Sequence, residues 1–537
     1  MIAARPNRPC PSRWHRNRLV RHRFGRLAAL VAGLAMTASA LAVPVAGAPS
    51  ASAGNPSWLH TSGSRIVTES GEDFTIKAVN WFGMETPNCA PHGLWQISLD
   101  QAMDQIASFG FNAIRLPFSS ECLAGTVASV SGVDRQVNPG LQGLTPLQIM
   151  DRVVDAAAAR NLRVVLDRHR PDSGGQSELW FTDRYPEQRW IDDWVALAAR
   201  YRDRPTVIGA DLHNEPHGAA CWGCGDPAVD WAAAATRAGN AILAVNPRWL
   251  IIVEGVERQS TAGPTWWGGG LADVAAHPLT LAVPNQLVYS AHDYPASIYQ
   301  QSWFSDATFP ANLAGVWDRN WGYLQRQDLA PVFLGEFGTK LESPADAAWL
   351  QTLVRYLGAN HMSFAYWSYN PDSGDTGGLV ADDWRTPQQR KLDVLAPLLG
   401  VAASSATPPS GTATPSTATP STATSSALPS TTPSPKAGGF GVTVSWRLQS
   451  SWSNGYVAQL VVSAPGNPAE GWSVSWPDPH ATGVSGAWGM ACTLDAGVIR
   501  CDGADWAARI PAGGSATVGL QVDNDGTAPT APPVTVR

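Results

Sequence analysis

Eight short apolar or β-branched runs recur at intervals of about 30 to 50 residues between positions 75 and 366. Between them, stretches such as 147–160 and 190–202 carry apolar residues at three- and four-residue spacing, which is typical of amphipathic helices. A chain that alternates strands and helices forms a parallel sheet, and eight strands close a (β/α)8 TIM barrel. The predicted strands are Thr75–Val79, Asn112–Leu116, Leu162–Leu166, Val207–Leu212, Leu250–Val253, Leu287–Tyr289, Pro331–Leu334 and Met362–Tyr366.

An open, doubly wound sheet with helices on both faces is the alternative α/β fold for this pattern. Members of that class that bind dinucleotides carry a Gly-x-Gly-x-x-Gly turn directly after their first strand. No such turn follows Val79, the end of the first predicted strand. The sequence therefore favours the closed barrel.

The chain divides at a stretch of low complexity. Residues 401–439 consist mainly of Thr, Ser, Ala and Pro, and such a segment cannot bury a core, so it forms an extended linker. The linker separates a barrel domain, 54–400, from a small domain, 440–537. In the small domain, runs such as 442–446 and 472–476 alternate polar and apolar residues, which predicts an all-β sandwich.

The N terminus has the features of a secretory signal. Residues 1–26 contain eight arginines and no acidic residue, and they are followed by an apolar run, 27–41, and by Ala-Ser-Ala at 51–53. We therefore predict a signal peptide over 1–53 and a secreted, extracellular product. A membrane anchor is the alternative, but the apolar run is shorter than the roughly 18 residues that span a bilayer.

Charge and aromatic content indicate a neutral partner. Without the eight N-terminal arginines, 29 basic side chains oppose 44 acidic ones, which changes the net charge from −7 to −15. Proteins that bind nucleic acid or acidic membranes normally present a basic surface, so we expect neither partner. The 24 tryptophans outnumber the 13 phenylalanines and 10 tyrosines combined, and the flat apolar face of tryptophan suits sugar rings.

Six cysteines remain once Cys10 leaves with the signal peptide. An even number of cysteines in an oxidising compartment favours disulfides. The predicted pairs, each between neighbours in the sequence, are Cys89 with Cys122, Cys221 with Cys224, and Cys492 with Cys501. The alternative for Cys221-Trp-Gly-Cys224 is a redox or zinc motif, but no second pair of ligands follows nearby, so a structural bridge is favoured.

Polar side chains follow almost every predicted strand. In a (β/α)8 barrel the reactive groups lie at the carboxyl ends of the strands, and a barrel built only for packing has no need of titratable groups there. The side chains at these ends are Arg115, Asp167–Arg170, His213–Glu215, Glu254, His292–Tyr294, Glu336 and Trp367. They predict one functional face.

Two carboxylates on this face suggest cleavage of a glycosidic bond, in which one acid donates a proton while the other attacks or activates water. Glu215 follows Asn214 and precedes a proline, and Glu336 has a glycine within two residues on either side, which leaves room for a substrate. Glu254 is a third candidate. It lacks the asparagine neighbour, and we interpret it as structural.

A metal site is the competing interpretation of four histidines, which are His169, His213, His217 and His292. Catalytic zinc usually takes three protein ligands, and the spacing from His213 to His217 suits a ligand pair on a helix. The proline between these two residues and their position at a strand end argue against a helix. We therefore expect neither a metal ion nor another cofactor.

Six motifs spread over residues 58–400 resemble glycoside hydrolase family 5, particularly bacterial endoglucanases that are secreted with a cellulose-binding module. The motifs are HGLW, DRHRPD, HNEPH, SAHDY, LGEFGT and WSYNPDSGDTGG. The resemblance implies a retaining hydrolase with Glu215 as general acid/base and Glu336 as nucleophile. It further implies that Arg115 and Tyr294 hydrogen-bond to Glu336 and that Asn214 holds the sugar 2-hydroxyl. Trp367 is expected to stack beneath the sugar next to the scissile bond. The residues expected to line the cleft are His169, His292, Trp95 and Trp266.

The two carboxylates need different protonation states. Glu336 must be ionised to attack, and a neighbouring arginine and tyrosine hydroxyl stabilise the anion, so we expect a lowered pKa for Glu336. Glu215 must hold a proton in the first step and accept one in the second. The charge of Glu336 is present before the attack and absent from the covalent intermediate, and this change favours both roles in turn.

The small domain resembles a family 2 carbohydrate-binding module. Trp452, Trp488 and Trp506 match the three exposed tryptophans that such modules lay on crystalline cellulose, whereas Trp472 and Trp476 match buried positions. The alternative is that all five side chains pack in the core. Isolated exposed tryptophans on a small sandwich otherwise have no evident purpose, so we favour the binding surface.

These features predict a secreted, monomeric endo-β-1,4-glucanase that hydrolyses cellulose or a related β-1,4-glucan with retention and is anchored to cellulose by its C-terminal module. Another β-1,4-glycan, such as mannan or xyloglucan, is an alternative substrate, because the family shares its carboxylates across substrates. A non-catalytic polysaccharide-binding protein is the alternative from another class. The presence of both Glu215 and Glu336 counts against it.

Overall fold

The structure is a computed structural model that describes residues 56–124, 130–402, 442–452, 455–504 and 507–536. The predicted signal peptide lies outside these residues, and so does the predicted linker from residue 403 onward. Within the described part of the chain, no helix combines the length and the apolar character needed to cross a membrane.

Eight parallel strands form a closed barrel in which each strand pairs with the next one along the chain. They are β1 (Lys77–Asn80), β2 (Ala113–Ser119), β3 (Arg163–Arg170), β4 (Val207–Asp211), β5 (Leu250–Glu254), β6 (Leu287–His292), β7 (Val332–Glu336) and β8 (Ser363–Tyr366). Closure is completed by pairing of β8 with β1. Each predicted run overlaps one of these strands, so the predicted (β/α)8 barrel is confirmed.

Long helices cover the outside of the barrel. The two predicted amphipathic stretches form the helices Pro146–Ala158 and Glu187–Arg200. Thr145 caps the first of these, and a proline suits its first turn because the missing N–H has no helical partner there. The other long helices are Leu99–Ser108, Trp231–Val245, Pro344–Ala359 and Gln389–Leu399.

The connections after β5 and β6 depart from the regular alternation. Residues 255–286, all of them described, contain a short hairpin and a 3₁₀ turn in place of a long helix. The hairpin strands are Arg258–Gln259 and Gly263–Pro264, and the turn is Ala272–Ala275. After β6 the segments Leu313–Trp317, Asp318–Gly322 and Tyr323–Arg326 run on without a gap as one helix, and its middle segment is π-helical. The remaining short helices are Ser120–Leu123, Pro139–Leu141 and Ser302–Ser305.

The interior of the barrel changes from apolar to charged along its axis. Apolar side chains such as Val165 and Ile252 pack at the amino-terminal end, where a hairpin of Leu59–Ser62 and Arg65–Thr68 adds Leu59 and Ile66 to the same cluster. Alternate residues of a strand face the same side. Two positions further along β3 and β5 the inward-facing residues are therefore Asp167 and Glu254, both fully buried.

The small domain is an antiparallel sandwich, as predicted. One sheet contains Thr443–Trp452, Gly455–Ser463, Ser515–Asn524 and Ala481–Trp488, the other contains Met490–Asp495, Val498–Gly503, Ser473–Pro477 and Thr535–Val536, and Ala469–Glu470 pairs with Arg509–Ile510. Trp472 and Trp476 are each 1% exposed in the core, which confirms their predicted burial. Trp506 and the side chains of Trp452 and Trp488 lie outside the described residues.

All three predicted disulfides are present. They join Cys89 to Cys122, Cys221 to Cys224, and Cys492 to Cys501. The first ties the loop after β1 to the short helix after β2, and the third links directly opposed residues of two neighbouring strands in the sandwich. The interpretation of Cys221 and Cys224 as a structural bridge is thereby favoured over a zinc site, because both sulfur atoms are used in the bond.

Candidate active site

Arg115, on β2, occupies the centre of the charged end of the barrel and is fully buried. Its guanidinium contacts acidic side chains from the next three strands. Nε donates to Asp211 at 2.8 Å, Nη1 lies 3.1 Å from Asp167, and Nη2 donates to Glu254 at 3.0 Å. A permanently charged arginine in this position compensates carboxylates that could not be buried alone.

Glu336 is the last residue of β7 and is 4% exposed. Arg115 Nη1 donates to its Oε1 at 2.8 Å, and the hydroxyl of Tyr294 donates to its Oε2 at 2.7 Å. Both hydrogen bonds that the sequence predicted around Glu336 are thus present. They fix the carboxylate from two sides.

Glu215 lies just beyond the end of β4, and its backbone has a positive φ of 53°, a conformation that non-glycine residues rarely adopt. Its N–H donates to Glu254 Oε2 at 2.7 Å. Its carboxylate oxygens contact His292 Nδ1 at 3.0 Å and Gln176 Nε2 at 3.2 Å. The side chain is 13% exposed, against 5% for Glu336, so Glu215 is the more accessible of the two.

The two carboxylates lie close together across the barrel mouth. One oxygen of Glu215, one oxygen of Glu336 and one ring nitrogen of His292 all lie within 4.8 Å of one another. Glycosidases that invert the anomeric centre hold their carboxyl groups roughly 6.5–9.5 Å apart to admit a water molecule, whereas retaining enzymes hold them about 5–5.5 Å apart. The close approach of the two carboxylates, with one oxygen of each within 4.8 Å of the other, agrees with the retaining arrangement.

Burial is the largest influence on the pKa of Glu336. It raises the pKa of Glu336 to about 8, while the charges of His292 and Arg115 and the Tyr294 hydroxyl act in the opposite direction. The expectation of a lowered pKa was wrong, because the sequence showed the partners of Glu336 but not its loss of hydration. Burial also lowers the pKa of His292, but the charges of Glu254 and Glu336 and the hydrogen bond to Glu215 outweigh it and hold that pKa well above 6.5.

These directions give a pH-dependent prediction for Tyr294→Phe. As the predicted nucleophile, Glu336 must be ionised to attack, so kcat/KM is expected to fall as the pH drops through its pKa. Loss of the Tyr294 hydroxyl raises that pKa further, and a hydrogen bond to a charged group contributes about 1.5–3 kcal/mol. We expect the acid limb of kcat/KM to move upward by roughly one to two pH units.

A pH profile of kcat/KM on a soluble cello-oligosaccharide checks this shift. Tyr366→Phe is the matched control, because it removes another buried hydroxyl, which donates to Thr339 O at 3.3 Å and contacts neither carboxylate. An acid limb that moves equally in both variants, or in neither, contradicts the assigned role of Tyr294.

Aromatic rings pack against one another after β8 and next to His169. Trp367 follows β8 and is partly exposed; its ring lies nearly parallel to that of Phe82 (10°, centroids 5.4 Å apart) and to that of His169 (12°, 5.4 Å). His169 Nδ1 lies 2.6 Å from Asp167 Oδ2, and because a carboxylate oxygen accepts, Nδ1 is the donor. Burial lowers the pKa of this histidine to about 3, so its ring is neutral. Trp95, also partly exposed, lies further along, edge-on to another tryptophan.

The loop after β5 exposes a tryptophan that the sequence analysis did not select. Trp266 is 6% exposed and packs edge-on against Trp303, with centroids 4.9 Å apart. Its neighbour Trp267 is 43% exposed and stacks on His217 at 3.8 Å. The two tryptophans are adjacent in the sequence, which does not show which ring is buried. In the structure Trp266 is the buried one, because it packs against Trp303.

Comparison with known proteins agrees with this geometry. Residues 67–373 match the family model described as cellulase, glycosyl hydrolase family 5. The chain belongs to glycosyl hydrolase family 5. Residues 442–537 match the model of a cellulose binding domain, so the small domain carries the module that the sequence suggested.

Curated relatives of this family 5 protein include enzymes from two bacteria. An endoglucanase of Paenibacillus polymyxa is 51% identical over 354 residues, which are 65% of this chain and 89% of that protein. The major extracellular endoglucanase of Xanthomonas campestris pv. campestris is 39% identical over 494 residues, which are 90% of this chain and 98% of the relative.

Two similar solved structures share the barrel. The catalytic domain of the Xanthomonas campestris enzyme is 40% identical, with a TM-score of 0.60 over 64% of this chain and all of that one. A complex of an endocellulase from Pyrococcus horikoshii with cellotetraose is also 40% identical, with a TM-score of 0.61 over 64% of this chain and 99% of the other.

Several contacts within this family 5 site were not predicted from the sequence. Asn80 accepts from Arg115 Nη1 at 3.0 Å, and Gln176 contacts Glu215. Asp167 and Asp211 contact the guanidinium of Arg115. Asp167 was among the strand-end side chains predicted to form the functional face, but its contact with Arg115 was not predicted. Gln176 lies in an irregular loop, and nothing in its sequence context indicates the contact.

The four histidines considered as metal ligands have separate partners. His213 Nδ1 lies 3.0 Å from Arg168, and His217 Nδ1 donates to the carbonyl of Glu215 at 2.7 Å. Two described groups have ligand-like spacing, and of the four histidines they include only His292. The groups are Glu215 with His292 and Glu336, and Asp167 with Asp211 and Glu254. In the second group all three carboxylates already contact the cationic guanidinium of Arg115.

Proposed function

We propose that this protein is a secreted endo-β-1,4-glucanase that hydrolyses internal bonds of cellulose with retention of the anomeric configuration. The observation that carries this proposal is the pair of carboxylates, Glu215 and Glu336, with oxygens within 4.8 Å of each other at the mouth of a family 5 barrel. The relatives named endoglucanase and the cellulose binding domain support the choice of substrate.

In the first step Glu336 acts as the nucleophile. Its carboxylate oxygen forms a bond to the anomeric carbon as the bond from that carbon to the glycosidic oxygen breaks, and Glu215 gives its proton to the departing oxygen. The product is a glycosyl ester on Glu336, with the shortened chain released. Arg115 and Tyr294 orient Glu336 for this attack through the bonds described above.

In the second step Glu215 acts as a base. It removes a proton from water while the water oxygen bonds to the anomeric carbon, and the ester bond breaks to restore the Glu336 carboxylate. Two inversions at the same carbon give net retention. Because esterified Glu336 carries no charge, the proton held by Glu215 in the first step is more easily lost at this stage.

The remaining side chains position the sugars. We assign Asn214, next to Glu215, to the 2-hydroxyl, and the partly exposed face of Trp367 to the sugar beside the scissile bond. His169 and His292 line the cleft around this sugar, and its continuations are assigned to Trp95 and Trp266. Flat tryptophan faces suit the apolar faces of glucose rings, and the cellotetraose complex of the Pyrococcus horikoshii relative supports an extended cleft.

The C-terminal module anchors the enzyme to its insoluble substrate. We assign this contact to Trp452, Trp488 and Trp506, on the strength of the match to a cellulose binding domain. A secreted enzyme fits the arginine-rich start of the chain and its extracellular relative in Xanthomonas campestris. An anchor raises the local concentration of cellulose chains at the barrel without a change in the site.

Product analysis tests the proposal. The full-length protein is incubated with carboxymethylcellulose, mannan and xyloglucan in parallel, and the anomer first released from a cello-oligosaccharide is followed by proton NMR. We expect release of oligosaccharides from carboxymethylcellulose and initial appearance of the β-anomer. Cleavage of mannan alone would show the substrate to be wrong, and initial release of the α-anomer would show the mechanism to be wrong.

A further inference from the structure

Glu254, the last residue of β5, is fully buried behind the two catalytic carboxylates. Its polar neighbours face it with N–H groups. Arg115 Nη2 donates to Oε1 at 3.0 Å, the backbone N–H of Glu215 donates to Oε2 at 2.7 Å, and His292 Nε2 lies 3.4 Å from Oε1. Both oxygens are therefore acceptors. A glutamine in this position would turn its NH₂ group towards one of these donors.

The arginine does not depend on Glu254 alone. Asp211 accepts from Arg115 Nε and Asp167 lies within 3.1 Å of Nη1. Asn80 and Asn214 accept from the two terminal nitrogens at 3.0 Å and 2.9 Å. Without Glu254 these groups still hold the guanidinium, and through it the nucleophile Glu336.

The backbone N–H of Glu215, in contrast to Arg115, has a single hydrogen-bond acceptor among the described residues. Within the described part of the chain, Glu254 Oε2 is the acceptor of its N–H, and this bond holds a residue whose left-handed backbone conformation is costly for a non-glycine residue. Glu254 also lies against Nε2 of the same imidazole whose Nδ1 contacts the Glu215 carboxylate at 3.0 Å. The Glu254 carboxylate thus contacts the backbone of Glu215 directly, and it contacts the Glu215 side chain indirectly, through His292.

The loop after β5 confines this contact. A Cβ on Gly268 would lie 2.5 Å from Glu254 Oε2 and 3.2 Å from Glu215 Cα, so only a glycine lets the loop lie against both. Nearby, the N–H of Glu257 donates to Pro216 O at 3.1 Å and its Oε2 accepts from Gly218 N–H at 2.9 Å. These two bonds hold the loops after β4 and β5 together independently of Glu254.

We propose that Glu254 is the positioning residue of the general acid/base, which fixes the peptide of Glu215 and the ring of His292 so that the Glu215 carboxyl faces the glycosidic oxygen. This inference rests on the proposed function. It assigns Glu254 a role in proton transfer by Glu215 and not in nucleophilic attack by Glu336. Misplacement of a reacting group by about 1 Å can cost on the order of 10²-fold in rate.

Leaving-group dependence tests this assignment. A dinitrophenyl cellobioside leaves with little need of a proton, whereas cellotetraose needs a proton from Glu215. For Glu254→Gln we expect kcat/KM to fall roughly 10- to 100-fold on cellotetraose and less than about threefold on the dinitrophenyl substrate. A role in the fold alone lowers both values by the same factor, because it reduces the fraction of competent enzyme.

Two matched variants separate the possible routes. Glu257→Gln makes the same substitution three residues away, in a side chain that accepts a backbone N–H but contacts none of the catalytic residues, and we expect no dependence on leaving group. Asp211→Asn weakens only the support of Arg115, and we expect equal losses on both substrates. If Glu254→Gln behaves like either of these variants, the proposal is wrong.

Glu254→Asp keeps the charge. It replaces the glutamine variant in this test if thermal unfolding shows that the glutamine variant does not fold. It draws the carboxylate back from the Glu215 N–H, and we expect a smaller loss that is again confined to cellotetraose. Wild-type protein and Glu215→Ala, measured alongside, separate this inference from the proposed function. If Glu215→Ala leaves cellotetraose hydrolysis intact, the proposed function fails; if only the Glu254 variants lack leaving-group dependence, the positioning role alone fails.

Discussion

Replacement of Glu336 by glutamine is expected to abolish hydrolysis of every substrate, with a loss in kcat on the order of 10⁴-fold or more. The amide keeps the shape of the side chain and can still accept from Arg115 Nη1 or from the Tyr294 hydroxyl, which contact opposite oxygens of the carboxylate. It cannot form the glycosyl ester. The loss therefore extends to dinitrophenyl cellobioside, because an activated leaving group does not replace a missing nucleophile.

Three measurements check the assignment of Glu336. Reducing-sugar release from carboxymethylcellulose reports the loss, and cellulose pull-down of the same variant should persist, because residues 442–537 are unchanged. A dinitrophenyl 2-fluoro-cellobioside, whose ester hydrolyses slowly, should add a fluorocellobiosyl mass to wild-type Glu336 in peptide mapping. Labelling of Glu215 or Glu254 instead, or full activity in Glu336→Gln with Glu257→Gln as the matched control, would overturn the assignment.

The barrel was predictable because its signal is local and repeated. Each strand of the sheet is buried on both faces, so its residues form short apolar runs that stand out from the helices between them. The eightfold repetition of strand and helix then predicts the closed barrel. The segment 255–286 could not be predicted in the same way, because its short hairpin and turn are held by contacts such as that of Gly255 N–H with Ser290 O at 3.0 Å, which no sequence period records.

The placement of Glu215 and Glu336 together at the barrel mouth was also predictable, because the end of a barrel strand is a position that sequence can locate. The contacts that hold these two carboxylates in place were not predictable. Glu254 stands in the sequence as one more strand-end acid, and the interpretation of it as structural followed from the absence of a neighbouring asparagine. Only the three-dimensional arrangement shows that its oxygens meet Arg115, the Glu215 peptide and His292 together.

The pKa of Glu336 illustrates a second limit. A sequence can name the partners of a charge, here Arg115 and Tyr294, and the sign of each effect follows from them. It cannot give the hydration of the group. At 4% exposure the lost hydration of Glu336 outweighs its partners and raises the pKa to about 8. The buried position of Glu336 thus determines the pH at which this carboxylate ionises.

Removal of the general acid/base should give a different pattern from removal of the nucleophile. For Glu215→Ala we expect kcat/KM on cellotetraose to fall roughly 10²- to 10⁴-fold, the usual contribution of a positioned proton donor. Dinitrophenyl cellobioside should still esterify Glu336, since its leaving group needs no proton. Without a base the ester then hydrolyses slowly, so steady-state turnover should be preceded by a burst of dinitrophenol close to one equivalent of enzyme.

Azide provides the deciding measurement for Glu215. It is small, and it is nucleophilic without loss of a proton, so it can occupy the space left by the carboxylate in Glu215→Ala. Its nitrogen bonds to the anomeric carbon as the ester bond to Glu336 breaks, which regenerates the carboxylate and releases a β-cellobiosyl azide. We expect azide to accelerate dinitrophenol release in Glu215→Ala and to have no effect on Glu336→Gln. Acceleration of both variants, or an α-linked azide, would contradict the division of roles between the two carboxylates.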